Sequence, residues 1–126
     1  MAKAIPRISI VLPNGANAEV RMSDPHSISA NDGVYQGLLC MIKVVTPAFT
    51  ANPTTLIKLY DRNGILLYTS AALAKGSGAA GYALAVDIPL THGEYITATP
   101  SIDPTGSGGT VTIDMDYIPD HFMEVY

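Results

Sequence analysis

The chain is short of charge: Asp, Glu, Lys and Arg make up 14% of its 126 residues, where about a quarter is usual. A domain of this size has a large surface for its volume, so the shortage must show on the outside. That outside is either rich in Thr, Ser, Ala and Gly or hidden in an assembly, and homo-oligomer interfaces are depleted in charge. Assembly is the expectation. The seven basic residues, Lys3, Arg7, Arg21, Lys43, Lys58, Arg62 and Lys75, are scattered singly against a net charge of −4. They form no stripe for a phosphate backbone, so nucleic acid is not an expected partner. Tryptophan is absent, and there is one cysteine, Cys40. A lone cysteine forms no disulfide within its chain, and inside Leu38-Leu39-Cys40-Met41-Ile42 it is expected to act as a small buried hydrophobe. No apolar run approaches the roughly 18 residues of a membrane span, and residues 1–6 lack the apolar core of a signal peptide. Neither membrane insertion nor secretion through a cleavable signal is expected.

What is present is a series of short β-patterned runs divided by turn residues, the pattern of a sandwich or barrel. Ile8, Ile10 and Leu12 share one face of a run over 7–12, closed by Pro13-Asn14-Gly15. Ala18, Val20 and Met22 alternate with Glu19, Arg21 and Ser23, and Ser23-Asp24-Pro25 supplies a stop. The run over 34–46 is apolar on both faces in its middle, as expected of a central strand covered on both sides, with a bend placed at Gly37. Runs over 55–60 and 65–70 flank Asp61-Arg62-Asn63-Gly64, and an Asn-Gly pair in that setting predicts a hairpin. Residues 71–80 are small and Gly-rich and read as a loop, with one helical turn allowed at 71–74. Tyr82, Leu84, Val86, Ile88 and Leu90 alternate with smaller residues, and Pro89 marks an edge strand. Runs over 94–99 and 111–117 complete a count of about eight, and nothing shows a helical apolar period. The chain therefore reads as a single all-β domain over 1–126, a two-sheet antiparallel sandwich of either jelly-roll or immunoglobulin-like order. Residues 119–126 form an extended C-terminal tail.

Candidate chemistry is thin. His26, His92 and His121 stand in turns or the tail and none is paired at ligand spacing. Asp114 and Asp116 point the same way from the last strand, with Asp120 nearby, but no calcium-loop pattern surrounds them, so they read as its wet face. No Gly-x-Ser-x-Gly elbow or activated cysteine is present, and the Gly-Ser loops do not lead from a strand into a helix. No catalytic residue, metal site or cofactor is expected. Clustered His and Glu of the kind a cupin metal enzyme needs are missing. The tail is more informative, because Phe122, Met123, Val125 and Tyr126 make it apolar where a chain end is usually polar. They are the expected contacts of a partner or oligomer interface.

Several segments carry a resemblance. Gly37-Leu38-Leu39 leading to Lys43-Val44-Val45-Thr46-Pro47, Leu59-Tyr60-Asp61-Arg62-Asn63-Gly64 with Leu67-Tyr68-Thr69-Ser70, Gly93-Glu94-Tyr95-Ile96-Thr97-Ala98-Thr99 and Gly108-Gly109-Thr110-Val111-Thr112-Ile113 resemble the small β-sandwich head proteins of tailed bacteriophages, called decoration, cement or minor capsid proteins. The likeness spans residues 33–118 and consists of hairpin and strand patterns. It implies a non-enzymatic virion protein, made in the host cytoplasm, that forms oligomers, often trimers, and clamps the major capsid protein lattice from the capsid surface. The alternative is a carbohydrate- or host-receptor-binding sandwich, motivated by seven tyrosines and exposed Gly/Ser loops.

Overall fold

The computed structural model describes residues 2–23, 27–28 and 35–119. It is all-β, with strands β1 (Lys3–Leu12), β2 (Val20–Arg21), β3 (Gly37–Val45), β4 (Thr55–Tyr60), β5 (Leu66–Thr69), β6 (Tyr82–Leu90), β7 (Tyr95–Pro100) and β8 (Gly109–Pro119). They form two four-stranded sheets, ordered β1-β8-β3-β6 and β2-β7-β4-β5, and every pairing is antiparallel. First pairs with last, second with seventh, third with sixth and fourth with fifth. The chain is thus one long hairpin, folded at the β4–β5 turn and wound into two layers. That is the jelly-roll order. An immunoglobulin-like sandwich would keep its first two strands in one sheet; here β1 and β2 lie in different sheets.

The turn at the tip of the ribbon is set by local chemistry. Asp61 Oδ1 accepts hydrogen bonds from the backbone N–H of Asn63 (2.8 Å) and Ile65 (2.9 Å). Gly64 donates its N–H to the Asp61 carbonyl at 3.0 Å with φ of 84°, a backbone region that glycine enters without a Cβ penalty. Alternation then sorts the side chains. Ile8, Ile10 and Leu12 of β1, Ile57 and Leu59 of β4, and Ile113 and Met115 of β8 are buried between the sheets. Pro6 and Arg7 together oppose Asp114, in an irregularity of the β1–β8 ladder between Ile5 and Ile8. Pro6 costs little there, because β1 is an edge strand. Pro89 likewise lies on β6, the other edge of that sheet.

Five expectations need correction. The second run is ordered as a strand only over Val20–Arg21, although Met22 still reaches the core. Residues 71–74 form no helical turn, because Leu73 is buried and exchanges backbone hydrogen bonds with Thr55 at 2.8 and 3.0 Å. Cys40 is half-buried in a bulge, not in the core, and its thiol donates to the Asp116 carbonyl at 3.4 Å. The irregularity of β3 falls there, between Leu39 and Met41, while Gly37 stands at the strand's start. Finally, the described residues cover β3 on one face: Leu39, Ile42 and Val44 are buried, while Leu38, Met41 and Val45 are partly open. The apolar tail residues Phe122, Met123, Val125 and Tyr126 lie outside the described residues.

One polar group sits badly in the core. Thr55 is fully buried and its hydroxyl has no hydrogen-bond partner, and an unmet buried hydroxyl costs about 1–3 kcal/mol. Thr55→Val keeps the shape and removes that cost, so it should raise the unfolding free energy by about 1 kcal/mol. Leu59→Ala should lower it by about 2–5 kcal/mol. Urea denaturation measures both, and a Thr55→Val protein less stable than wild type would contradict this picture of the core.

Candidate functional site

The most elaborate side-chain arrangement lies on the outer face of the β2-β7-β4-β5 sheet, opposite Ile57, Leu59, Ile96 and Ala98. Register places Tyr60 of β4 beside Tyr95 of β7, and Lys58 beside Thr97; Thr97 in turn faces Arg21 of β2. The two tyrosine rings stack with centroids 5.2 Å apart and planes 17° off parallel. The Arg21 guanidinium lies over the Tyr95 ring at 3.6 Å. Glu19, just ahead of β2, accepts a hydrogen bond from the Tyr60 hydroxyl at 2.6 Å and another from the Thr97 hydroxyl at 2.7 Å, both on Oε2.

These bonds shift both partners. The Tyr60 and Thr97 hydroxyls, with a smaller pull from Lys58, hold the Glu19 carboxyl below the usual range. The carboxylate in turn pushes the Tyr60 phenol up to about 12. A proton held that firmly makes Tyr60 a poor acid–base catalyst near neutrality. Tyr95 is a poor sugar platform too. β7 runs between β2 and β4, so Arg21 and Tyr60 take opposite faces of Tyr95. The cluster acts as a clasp that covers Thr97, which is 2% exposed, and ties the short β2 to its sheet.

Elsewhere the titratable groups are dispersed. Arg7 donates to both carboxylate oxygens of Asp114, at 2.9 and 3.0 Å, and holds that carboxyl below its ordinary range. Cations therefore face Asp114 from both neighbouring strands, Arg7 on β1 and Lys43 on β3. Asp116 is exposed on the same face. Glu94 is buried, and its carboxylate accepts from the Thr91 hydroxyl at 2.8 Å and the Thr91 N–H at 3.2 Å, closing the β6–β7 turn. His92 is exposed in that turn; His26, His121 and Asp120 lie outside the described residues. Among the described residues, no three His, Cys, Asp or Glu side chains gather as metal ligands would. A ridge stands out instead. Ile65, Leu66 and Leu67 follow one another at the start of β5 and are 60%, 49% and 40% exposed. Register matches Leu59 with Tyr68 but Tyr60 with Leu66, so Leu67 is an extra residue that bulges from this edge strand.

Neither the clasp nor the ridge stands out in the sequence as a site. Glu19 and Arg21 show only as the polar positions of an alternating run, and their partners lie some seventy residues away. The ridge does have a local signal, three large apolar residues directly after a hairpin turn.

No family model and no curated protein matches the chain. One solved structure with some likeness is an arabinose-bound α-L-arabinofuranosidase, 13% identical with a TM-score of 0.43 over 86% of this chain. The chain spans 18% of that protein, and so partial a superposition transfers no activity.

The clasp makes a pH signature. Tyr60 has its pKa raised, so its share of stability is complete below the ordinary tyrosine range near 10 and fades as pH rises through about 12. Glu19 has its pKa lowered, so its share is present above the ordinary carboxylate range and fades as pH falls through its folded value. Spectrophotometric titration should show one tyrosine ionising near 12, and Glu19→Gln should return it toward 10. An unchanged titration curve in Glu19→Gln would mean the contact is not made.

Proposed function

We propose that this chain is a structural virion protein, a decoration or cement protein that binds and stabilises a bacteriophage capsid through surface contacts. The observation that carries the reading is the ridge Ile65-Leu66-Leu67. Three consecutive large apolar residues in water work against a monomer unless something covers them. They do not serve the core, which is closed without them. They adjoin the hairpin, and Leu67 belongs to one of the segments whose pattern resembles the phage head proteins.

The physical logic is that of docking. The ridge sits on a rigid two-layer scaffold, and the bulge at Leu67 disrupts the strand edge, so side chains and not an added strand make the contact. Sparse charge lowers the cost of desolvating the surrounding surface. The expected partners are the major capsid protein and further copies of the chain, at the capsid surface. Nothing in this role needs a catalyst.

The reading has a direct test. Purified protein added to undecorated heads, assembled from the capsid gene of the same genome, should bind saturably and raise their resistance to heat. Leu66→Lys should weaken that binding at least tenfold and leave the melting temperature of the free domain within a degree or two. Heads that take up no protein, or that bind Leu66→Lys as well as wild type, would contradict it.

A further inference from the structure

The two outer faces of the sandwich differ. On the β2-β7-β4-β5 sheet the chain covers its own central strand: Ile96 and Ala98 of β7 are buried in the core, and Thr97 on the outer side is buried as well, because Glu19, Arg21 and Tyr60 surround it. Among the described residues, the β1-β8-β3-β6 sheet has no such cover. Register sets Leu38 beside Ile118, Met41 beside Ala85, and Lys43 beside Ala83, with Val45 at the far end of β3. Leu38, Met41, Val45 and Ile118 are half-buried and the two alanines exposed. Beyond Leu38 and Ile118 the face runs into a groove of about 420 Å³. A strand apolar on both sides belongs in a layer covered on both sides, and the described residues of one copy cover β3 on one side.

We infer that this face packs against the same face of a second copy, across a two-fold axis. The charges on it are self-complementary. Arg7 answers Asp114 within the chain. Lys43 stands opposite Asp114, whose carboxylate Arg7 already holds, and Asp116 lies two residues along β8 from that pair; neither Lys43 nor Asp116 forms a salt bridge among the described residues. A two-fold laid between them sets each lysine on the partner's aspartate, the reciprocal contact an isologous interface requires. The area also suffices. Four strands about 4.8 Å apart and nine residues at about 3.3 Å each give roughly 570 Å² per copy, or roughly 1,100 Å² in total, above the roughly 1,000 Å² that marks a specific interface. The small side chains of Ala83 and Ala85 keep the shelf beside Met41 low enough for a second sheet to settle on it. The resemblance to phage head proteins implies trimers; this face fits pairs. The inference does not depend on capsid binding, since it concerns the free protein.

Sedimentation equilibrium on the full chain tests it by mixing. Wild type should associate as a dimer. Lys43→Glu and Asp116→Lys should each raise the dissociation constant more than tenfold, because each puts like charges face to face at both ends of the two-fold. Mixed in equal amounts, the two variants should form a heterodimer near wild-type affinity, since Glu at 43 then meets Lys at 116 and the native pair forms beside it. Effects confined within one chain cannot be repaired by mixing. The inference is overturned if wild type stays monomeric at every concentration, if it forms a trimer, if the single variants associate unchanged, or if the mixture does not recover.

Discussion

A two-layer sandwich buries one face of each strand, and β3 is apolar on both. That mismatch organises the molecule. The bulge at Cys40 lets Leu39 and Ile42 both point inward while Leu38 and Met41 point out. The inner set joins Ile57 and Leu59 in one core cluster between the sheets. The outer set is left over. Turning it inward would empty the core of its largest aliphatic strand, so the sheet carries an apolar outer face as the consequence of a filled interior.

The opposite sheet shows what a satisfied outer face looks like in the same fold. There a carboxylate, two tyrosines, a threonine and an arginine close over β7, and Thr97 is buried at the centre of the network. Polar groups there are spent on one another: Tyr95 lies between Tyr60 and Arg21, and Glu19 accepts from two hydroxyls. Among the described residues, apolar surface is open at the ridge after the hairpin and on the sheet built around β3.

Local signals in the sequence were legible, and long-range ones were not. Asp61-Arg62-Asn63-Gly64 announces its turn because the bonds that make it lie within five residues. The alternation of Tyr82, Leu84, Val86, Ile88 and Leu90 announces β6 for the same reason. The winding is different: β1 pairs Lys3 with Tyr117 and β2 pairs Arg21 with Thr97, and no local pattern reports a partner so distant. Jelly-roll and immunoglobulin-like orders thus fit the same run of strands until the register is known. The clasp around Glu19 was hidden by the same distance. Cys40 misled because a bulge looks like unbroken apolar sequence.

Hydroxyl-radical footprinting at two protein concentrations tests most directly whether the outer face of β3 is the surface the molecule uses. Dilute protein should be labelled at Leu38, Met41 and Val45. Concentrated protein should be protected there, while Ile102, in the loop after β7 and 49% exposed, labels equally in both. Equal labelling of Met41 at low and high concentration would show that nothing settles on that face, and the account would fail at its centre.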